Sequence, residues 1–292
     1  MRTDLKPKPI VVGVDPDPDK RTALAWAADE ARRRRRPLTL VYAQGVPLPG
    51  YRPEGGRPSW EQWPKELHRA GAEVLDGALA FAEERQPAVE ISAVLAEGRP
   101  AWVLAEQSHH AALVVIGSRR PGGARESFTS AAVALPLTAH AACPVVVVRE
   151  SEGTRPPGLV VGVDGSPDSA AAVDFAFEEA GTLGANLRAL YVWHAPLLGV
   201  LDEQATLQEC RRVLAETTAG RTAAHPEVEL HHEVVEGHPV QVLTEASDHA
   251  LGLVVGTRGR GGFRGLRLGS VSQGVLHHAR CTVITVPHGQ RR

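Results

Sequence analysis

Six glycines and four arginines crowd the fifteen residues GTRGRGGFRGLRLGS, from Gly256 to Ser270. Three chemistries suit that composition: a flexible Arg-Gly-Gly tract that touches RNA, a plain surface loop, or a folded cradle for an anionic ligand. The cradle has a physical rationale residue by residue. Gly256 lets the chain turn sharply. Glycine at 259 leaves the backbone open to close approach by a phosphate. Gly269 and Ser270 open a helix whose unpaired N–H groups and positive dipole end favour an anion. Ser270 adds a hydroxyl donor, and Arg258 and Arg260 add positive charge. The stretch alone does not choose among the three; the surrounding elements must.

Other reactive constellations are missing or incomplete. There is no Gly-x4-Gly-Lys-Ser/Thr phosphate loop. DPDPDK, from Asp15, starts like a calcium loop but has Lys20 where the sixth position needs glycine and Trp26 where the twelfth needs glutamate. Capping of the first helix by Asp17 or Asp19 explains it better. The pairs His109-His110, His231-His232 and His277-His278 are adjacent in sequence, so their side chains diverge, which argues against metal ligation. Cys143 and Cys281 each precede a final strand and read as small core hydrophobes. Arg32 to Arg36 end a helix before Pro37 and read as a solvated helix end, with an acidic partner as the alternative. No nucleophile–base–orienter set appears. The only lysines are Lys6, Lys8, Lys20 and Lys65, so the glycine-rich half has none, which counts against kinase-type phosphoryl transfer.

The elements that must position the stretch come from an internal repeat. IVVGVDPDPDKRTALAWAADEA, from Ile10, matches LVVGVDGSPDSAAAVDFAFEEA, from Leu159, at an offset of 149. EGRPAWVLAEQSHHAALVVIGSR, from Glu97, matches EGHPVQVLTEASDHALGLVVGTR, from Glu236, at an offset of 139. The ten-residue difference falls in the intervening segment, where the first copy carries PLPGYRPEGGRPSWEQWP with Tyr51, Trp60 and Trp63. ESEGTRPPG, from Glu150, is the expected linker, giving domains 1–150 and 151–292. In the second copy, apolar runs at 159–164, 187–193, 228–236, 251–256 and TVITV alternate with helical patterns after Ser166, over 202–223, from Pro239 to His249 and over 271–279. Nearly continuous apolar strands separated by helices predict an α/β fold with two tandem, doubly wound, five-stranded parallel sheets. Ligands of such sheets bind beyond the C-terminal strand ends where the winding reverses. With strand 4 beside strand 1, Asp164 and Gly256 would stand side by side there.

Totals set the broad class. The chain has 292 residues, 43% hydrophobic and 23% charged, with a net charge of -2. That balance argues against nucleic acid or an anionic membrane as partner. An apolar leader and a membrane-length apolar run are both missing, and three scattered cysteines do not make a disulfide framework. A cytoplasmic protein is expected.

The combined pattern resembles the universal stress protein family. Its nucleotide-binding members carry Gly-x2-Gly-x9-Gly-Ser/Thr after the fourth strand, and here Gly256, Gly259, Gly269 and Ser270 reproduce that spacing. VVGVDGS in the first strand and Gly237-x-Pro239 before the third helix support the resemblance, which covers nearly the whole chain twice. The resemblance implies a 3-2-1-4-5 strand order and ATP, with or without Mg2+, as the ligand. It places Asp164 near the adenosine, the backbone of Val192 against the adenine and Gly256 against the ribose. Gly259, Gly269, Ser270, Val271 and Ser272 would then hold the phosphates. It further implies an internal pseudo-dimer through the fifth strands, compatible with a homodimer of whole chains, and a regulatory role in stress response. Rival readings are a slow ATPase or phosphotransferase and a nucleotide-free scaffold.

The first copy departs from this pattern. Asp15 and Gly117 are kept, but Arg120 replaces the second glycine, Ser130-Ala131 or, aligned from the cysteine end, Ala131-Ala132 replaces Gly-Ser, and Glu126 adds a carboxylate. A weak first-copy site at Asp15 and Gly117, or none, is the expectation.

Overall fold

Short apolar runs alternate with amphipathic ones along this chain, and each adopts the element its period favours. In the computed structural model, residues 7–44, 63–118, 127–149, 158–194, 202–261 and 267–289 are described. Tyr51, Trp60, Arg120, Glu126, the linker at 150–157 and the arch residues 262–266 lie outside those segments, as does the side chain of Trp63. The chain forms two compact units, Met1–Gly117 and Ser118–Arg292.

In the first unit, β1 (Ile10–Gly13), α1 (Thr22–Arg34), β2 (Leu38–Gln44), α2 (Trp63–Arg85), β3 (Ile91–Glu97), α3 (Pro100–Gln107) and β4 (Leu113–Gly117) alternate. The strands are parallel in the order β3-β2-β1-β4. Ile10, Val12, Val114 and Val115 in the central pair have no exposed surface, as sheet positions covered on both faces require. Helix α1 corrects one expectation and bears out another in part, since Arg32, Arg33 and Arg35 are exposed as a solvated helix end requires. Its N-cap is Arg21, with no side-chain cap. Asp17 instead accepts the N–H of Asp19 at 3.1 Å and pairs with Lys20 at 3.3 Å, which holds both aspartates in the turn before the helix. The arginine run is also less solvated than its composition suggests. Arg33 and Arg34 pair with Glu30, whose side chain is fully buried and needs that compensation. Arg32 donates to Gln86 at 3.2 Å and Arg36 to the Lys8 carbonyl at 3.0 Å.

The second unit contains α4 (Ser127–His140), β5 (Val145–Val148), β6 (Gly158–Val163), α5 (Pro167–Leu183), β7 (Asn186–Trp193) and α6 (Glu203–Thr218). It continues with the single turn α7 (Arg221–Ala224), β8 (Leu230–Glu236), α8 (Pro239–Ser247), β9 (Gly252–Gly256), α9 (Ser270–His278) and β10 (Thr282–Val286). The expected helix over 202–223 is interrupted at Gly220, whose φ of 78° is left-handed. The second repeat has the parallel order β8-β7-β6-β9-β10, the 3-2-1-4-5 arrangement. β10 also pairs antiparallel with β5, setting Ile284 opposite Val146, so the two fifth strands meet edge to edge. That pairing draws α4 and β5 into the second unit, so the compact units divide at Gly117/Ser118 although the sequence repeats divide near residue 150. Cys143 and Cys281 are buried free thiols ahead of these strands. His231 and His232 diverge, the first lying 3.2 Å from Glu229 and the second 2.8 Å from the Thr218 hydroxyl. No described helix is long and apolar enough to cross a membrane.

Helix α5 packs over the ends of β6 and β9 and carries the residues that frame the site below. Its anchor is Phe177, fully buried, with its ring 5.8 Å from that of His225. Phe177→Ala is expected to cost about 3–5 kcal/mol of stability, because its contacts and its volume are both lost. Urea unfolding of the variant checks this, and a loss below about 1 kcal/mol would show that the helix is anchored elsewhere.

Candidate functional site

β6 lies directly beside β9, with β7 on its other flank. The chain winds away in opposite directions from this point, which opens a crevice above the strand ends. A cavity of about 580 Å3 occupies it. Asp164, Val192, Gly256, Arg258 and Gly259 line the cavity. So do Gly269, Ser270, Val271 and Ser272, which brings every second-copy position singled out from the sequence to one place. Sequence reasoning missed an apolar wall of Leu190, Leu243 and Val255 and a rim of Tyr191 and His194.

One end of the cavity is built from backbone. Gly269 is the extended N-cap of α9, with φ -75° and ψ 155°, and no side-chain cap is present. The first N–H to return to the N-cap carbonyl is that of Gln273, at 2.9 Å. The N–H groups of Ser270, Val271 and Ser272 precede it and have no helical acceptor. Gly269 itself donates to the Thr257 carbonyl at 2.8 Å. The buried Ser272 hydroxyl donates to the Gly256 carbonyl at 2.6 Å. Its proton therefore braces the strand end, and only the Ser272 N–H is left to face a ligand.

Asp164 is already engaged. Its Oδ1 accepts the Ser166 N–H at 2.9 Å and its Oδ2 accepts the Arg260 N–H at 2.9 Å. A Cβ on residue 259 would sit 2.5 Å from Oδ2. A side chain at 259 would therefore push this carboxylate off its backbone donors, so glycine there preserves the Asp164 contacts before any phosphate arrives. That ligand-independent reason was not readable from spacing.

Ser166 takes the N-cap of α5, accepting the Ser169 N–H at 3.1 Å. Asp168 Oδ2 instead accepts from the Thr257 hydroxyl at 2.8 Å and the Arg258 N–H at 3.1 Å, with Arg258 Nε at 3.4 Å. A Cβ on Gly256 would lie 2.7–2.8 Å from the backbone and Cβ of Asp168, so α5 rests directly on the strand end. At the rim, burial pushes the Tyr191 phenol up, with Cys210 and Asp164 adding and Arg260 opposing. Burial, followed by the Glu209 charge, pushes the Cys210 thiol up as well, so this sulfur is not an activated nucleophile.

The first copy builds a different arrangement. Asp15 accepts the Asp17 N–H at 3.0 Å, the same turn that Asp164 makes with Ser166. Gly117, however, is exposed, and among the described residues a Cβ there would meet only Ala23 at an ordinary 3.5 Å. Helix α4 begins at Ser127, so Ser130 and Ala131 lie inside it. Their N–H groups belong to the helix's own ladder, whereas their counterparts Gly269 and Ser270 open α9.

The repeat and the fold agree with the comparisons to known proteins. Residues 6–149 and 158–287 each match the universal stress protein family. The chain is 33% identical over 285 residues to the universal stress protein Rv2005c of Mycobacterium tuberculosis, covering 94% of this chain and 95% of that protein. It is 34% identical over 299 residues to the universal stress protein Rv2623 of the same organism, with 94% and 95% covered. The crystal structure of a universal stress protein from Archaeoglobus fulgidus shares the fold, with a TM-score of 0.70 at 16% identity over 97% of each chain. The chain belongs to the universal stress protein family.

The contact between Gly259 and Asp164 yields a double-mutant test. Gly259→Ala is expected to displace the carboxylate from its two backbone donors and to cost about 1 kcal/mol. In an Asp164→Ala background the added methyl meets no carboxylate, so the same substitution is expected to cost much less. Thermal unfolding of the four proteins without nucleotide measures the coupling, and strictly additive losses would show that the two residues do not constrain each other.

Proposed function

We propose that the second-copy cavity binds ATP and that the protein is a nucleotide-binding regulator, with the first copy binding ATP weakly or not at all. The observation that carries this reading is the uncapped start of α9, whose Ser270, Val271 and Ser272 border a cavity of about 580 Å3. That volume falls within the range of about 300–1,000 Å3 usual for small-molecule sites. The cavity has two chemistries. The α9 end offers backbone donors and a positive dipole suited to phosphates, with Arg258 and Arg260 beside it. The opposite wall, with Leu190, Val192 and Val255, suits a flat, weakly polar base. The family resemblance assigns those ends to the phosphates and the adenosine. Mg2+, when it accompanies the nucleotide, is carried by the phosphates themselves.

The absence of lysine from the second copy favours regulation over phosphoryl transfer. In the cytosol, ATP occupancy would report energy state by favouring whichever conformation or homodimer of chains it binds more tightly. Calorimetric titration with ATP is expected to give one site per chain, and denaturing the purified protein is expected to release adenine nucleotide. Two equivalent tight sites would refute the asymmetry, and no binding at all would refute the reading. Phosphate release on incubation with ATP is expected at background rate; sustained turnover would make the protein an enzyme.

A further inference from the structure

We infer that Asp168 is a positioning residue that fixes the glycine-rich loop for phosphate binding, acting through Thr257 and Arg258; this rests on the reading of the cavity as an ATP site. Its side chain is only 6% exposed, on the first turn of α5. A carboxylate so placed is tolerable only if donors surround it. Its donors are the Thr257 hydroxyl at 2.8 Å, the Arg258 N–H at 3.1 Å and Arg258 Nε at 3.4 Å. All of them belong to the two residues that follow β9.

Those same residues hold the phosphate end of the cavity. The Thr257 carbonyl accepts the N–H of Gly269, the N-cap of α9, at 2.8 Å. The Gly256 carbonyl accepts the Ser272 hydroxyl at 2.6 Å. The Ser166 hydroxyl donates to the Arg258 carbonyl at 3.4 Å, adding a second tie from the same helix start. A continuous hydrogen-bonded path thus runs from the Asp168 carboxylate through residues 257 and 258 to the first residues of α9. The close contact between Gly256 and the Asp168 backbone leaves no slack in that path. Charge is balanced as well. An unpaired carboxylate here would repel phosphate, but Arg258 pairs with it while its own side chain remains 53% exposed beside the cavity.

The first copy supplies an internal control. Asp19 is the counterpart of Asp168 at the offset of 149. Yet Asp19 is exposed, and α1 begins at Thr22, four residues later than the counterpart of Pro167 at Pro18. The acid is present in both copies, but only α5 has the helical turn that aims it at the loop.

The test uses the full chain with Asp168→Ala and, separately, Thr257→Val, measuring ATP and adenosine affinity together with amide exchange of the nucleotide-free protein. Asp168→Ala is expected to weaken ATP binding about tenfold or more, and Thr257→Val severalfold, while adenosine affinity changes less than about twofold. Without nucleotide, exchange at residues 257–260 and 269–273 is expected to accelerate while β6 stays protected. If ATP and adenosine affinities fall together, Asp168 supports the fold generally and the inference is wrong. Unchanged ATP affinity with unchanged exchange also overturns it. If the unmodified chain binds no ATP, the reading of the cavity fails, and the exchange data alone decide whether Asp168 fixes the loop.

Discussion

A glycine-rich loop has little reason to hold one shape, because glycine gives up more backbone freedom on ordering than any other residue. Here residues 257–260 are held by two carboxylates, one just after β6 and one in the first turn of α5, that accept backbone N–H groups from the segment after β9. Asp164 takes the N–H of Arg260, and Asp168 takes that of Arg258. Hydrogen bonds to charged groups contribute roughly 1.5–3 kcal/mol each, enough to offset the ordering of one or two residues. The glycines are the complement of these aspartates. Residues 256 and 259 lack side chains because Asp168 and Asp164 occupy the space a Cβ would need. A motif that looks designed for a ligand is in the first instance designed for its own helix.

The duplication sharpens this point, since two copies of one unit have diverged in structure beyond the glycine motif. The first copy retains Asp15 and its turn, and even the acid at Asp19. It lacks the first turn of the helix that would carry Asp19 to the strand end, and its fourth helix starts upstream of the positions that should form an open N-terminus. Each change removes a different half of the cradle, the clamp in one case and the free N–H groups in the other. Restoring Gly-Ser to the first copy would still leave α1 without the turn that carries Asp19.

Much of this architecture is legible in the sequence. Buried parallel strands read as apolar runs because both faces are covered, and the repeat fixes the element order twice. The start of α9 was legible because Gly-Ser after a glycine-rich crossing has few other uses. Contacts between distant segments were not. Thr257 and Asp168 are 89 residues apart, and nothing in either neighbourhood announces the other. The role of Gly259 was half legible: the need for close approach was evident, but the approaching group was Asp164 rather than a phosphate alone. The arginine run was legible as an exposed helix end, but its internal pairing was not. Its partner Glu30 lies three and four residues upstream on the same helix, a spacing that sequence can show, but the full burial of Glu30 is a tertiary fact.

Thr257 shows what the arrangement demands of a regulator. Every polar group of this buried residue is used: its N–H donates to the Val286 carbonyl at 3.1 Å, its carbonyl accepts from Gly269, and its hydroxyl donates to Asp168. The end of β10, the start of α9 and the first turn of α5 therefore meet on one residue. β10 in turn pairs with β5, the strand contributed by the first repeat. A ligand that draws on the N–H groups of α9 cannot shift that helix start without straining the bond to Thr257, and through it the end of β10. Because a ligand biases an equilibrium only by binding one state better than another, a regulatory role for the proposed ATP site requires two states of different affinity, and the bonds at Thr257 give a change at the α9 start a direct route to β10.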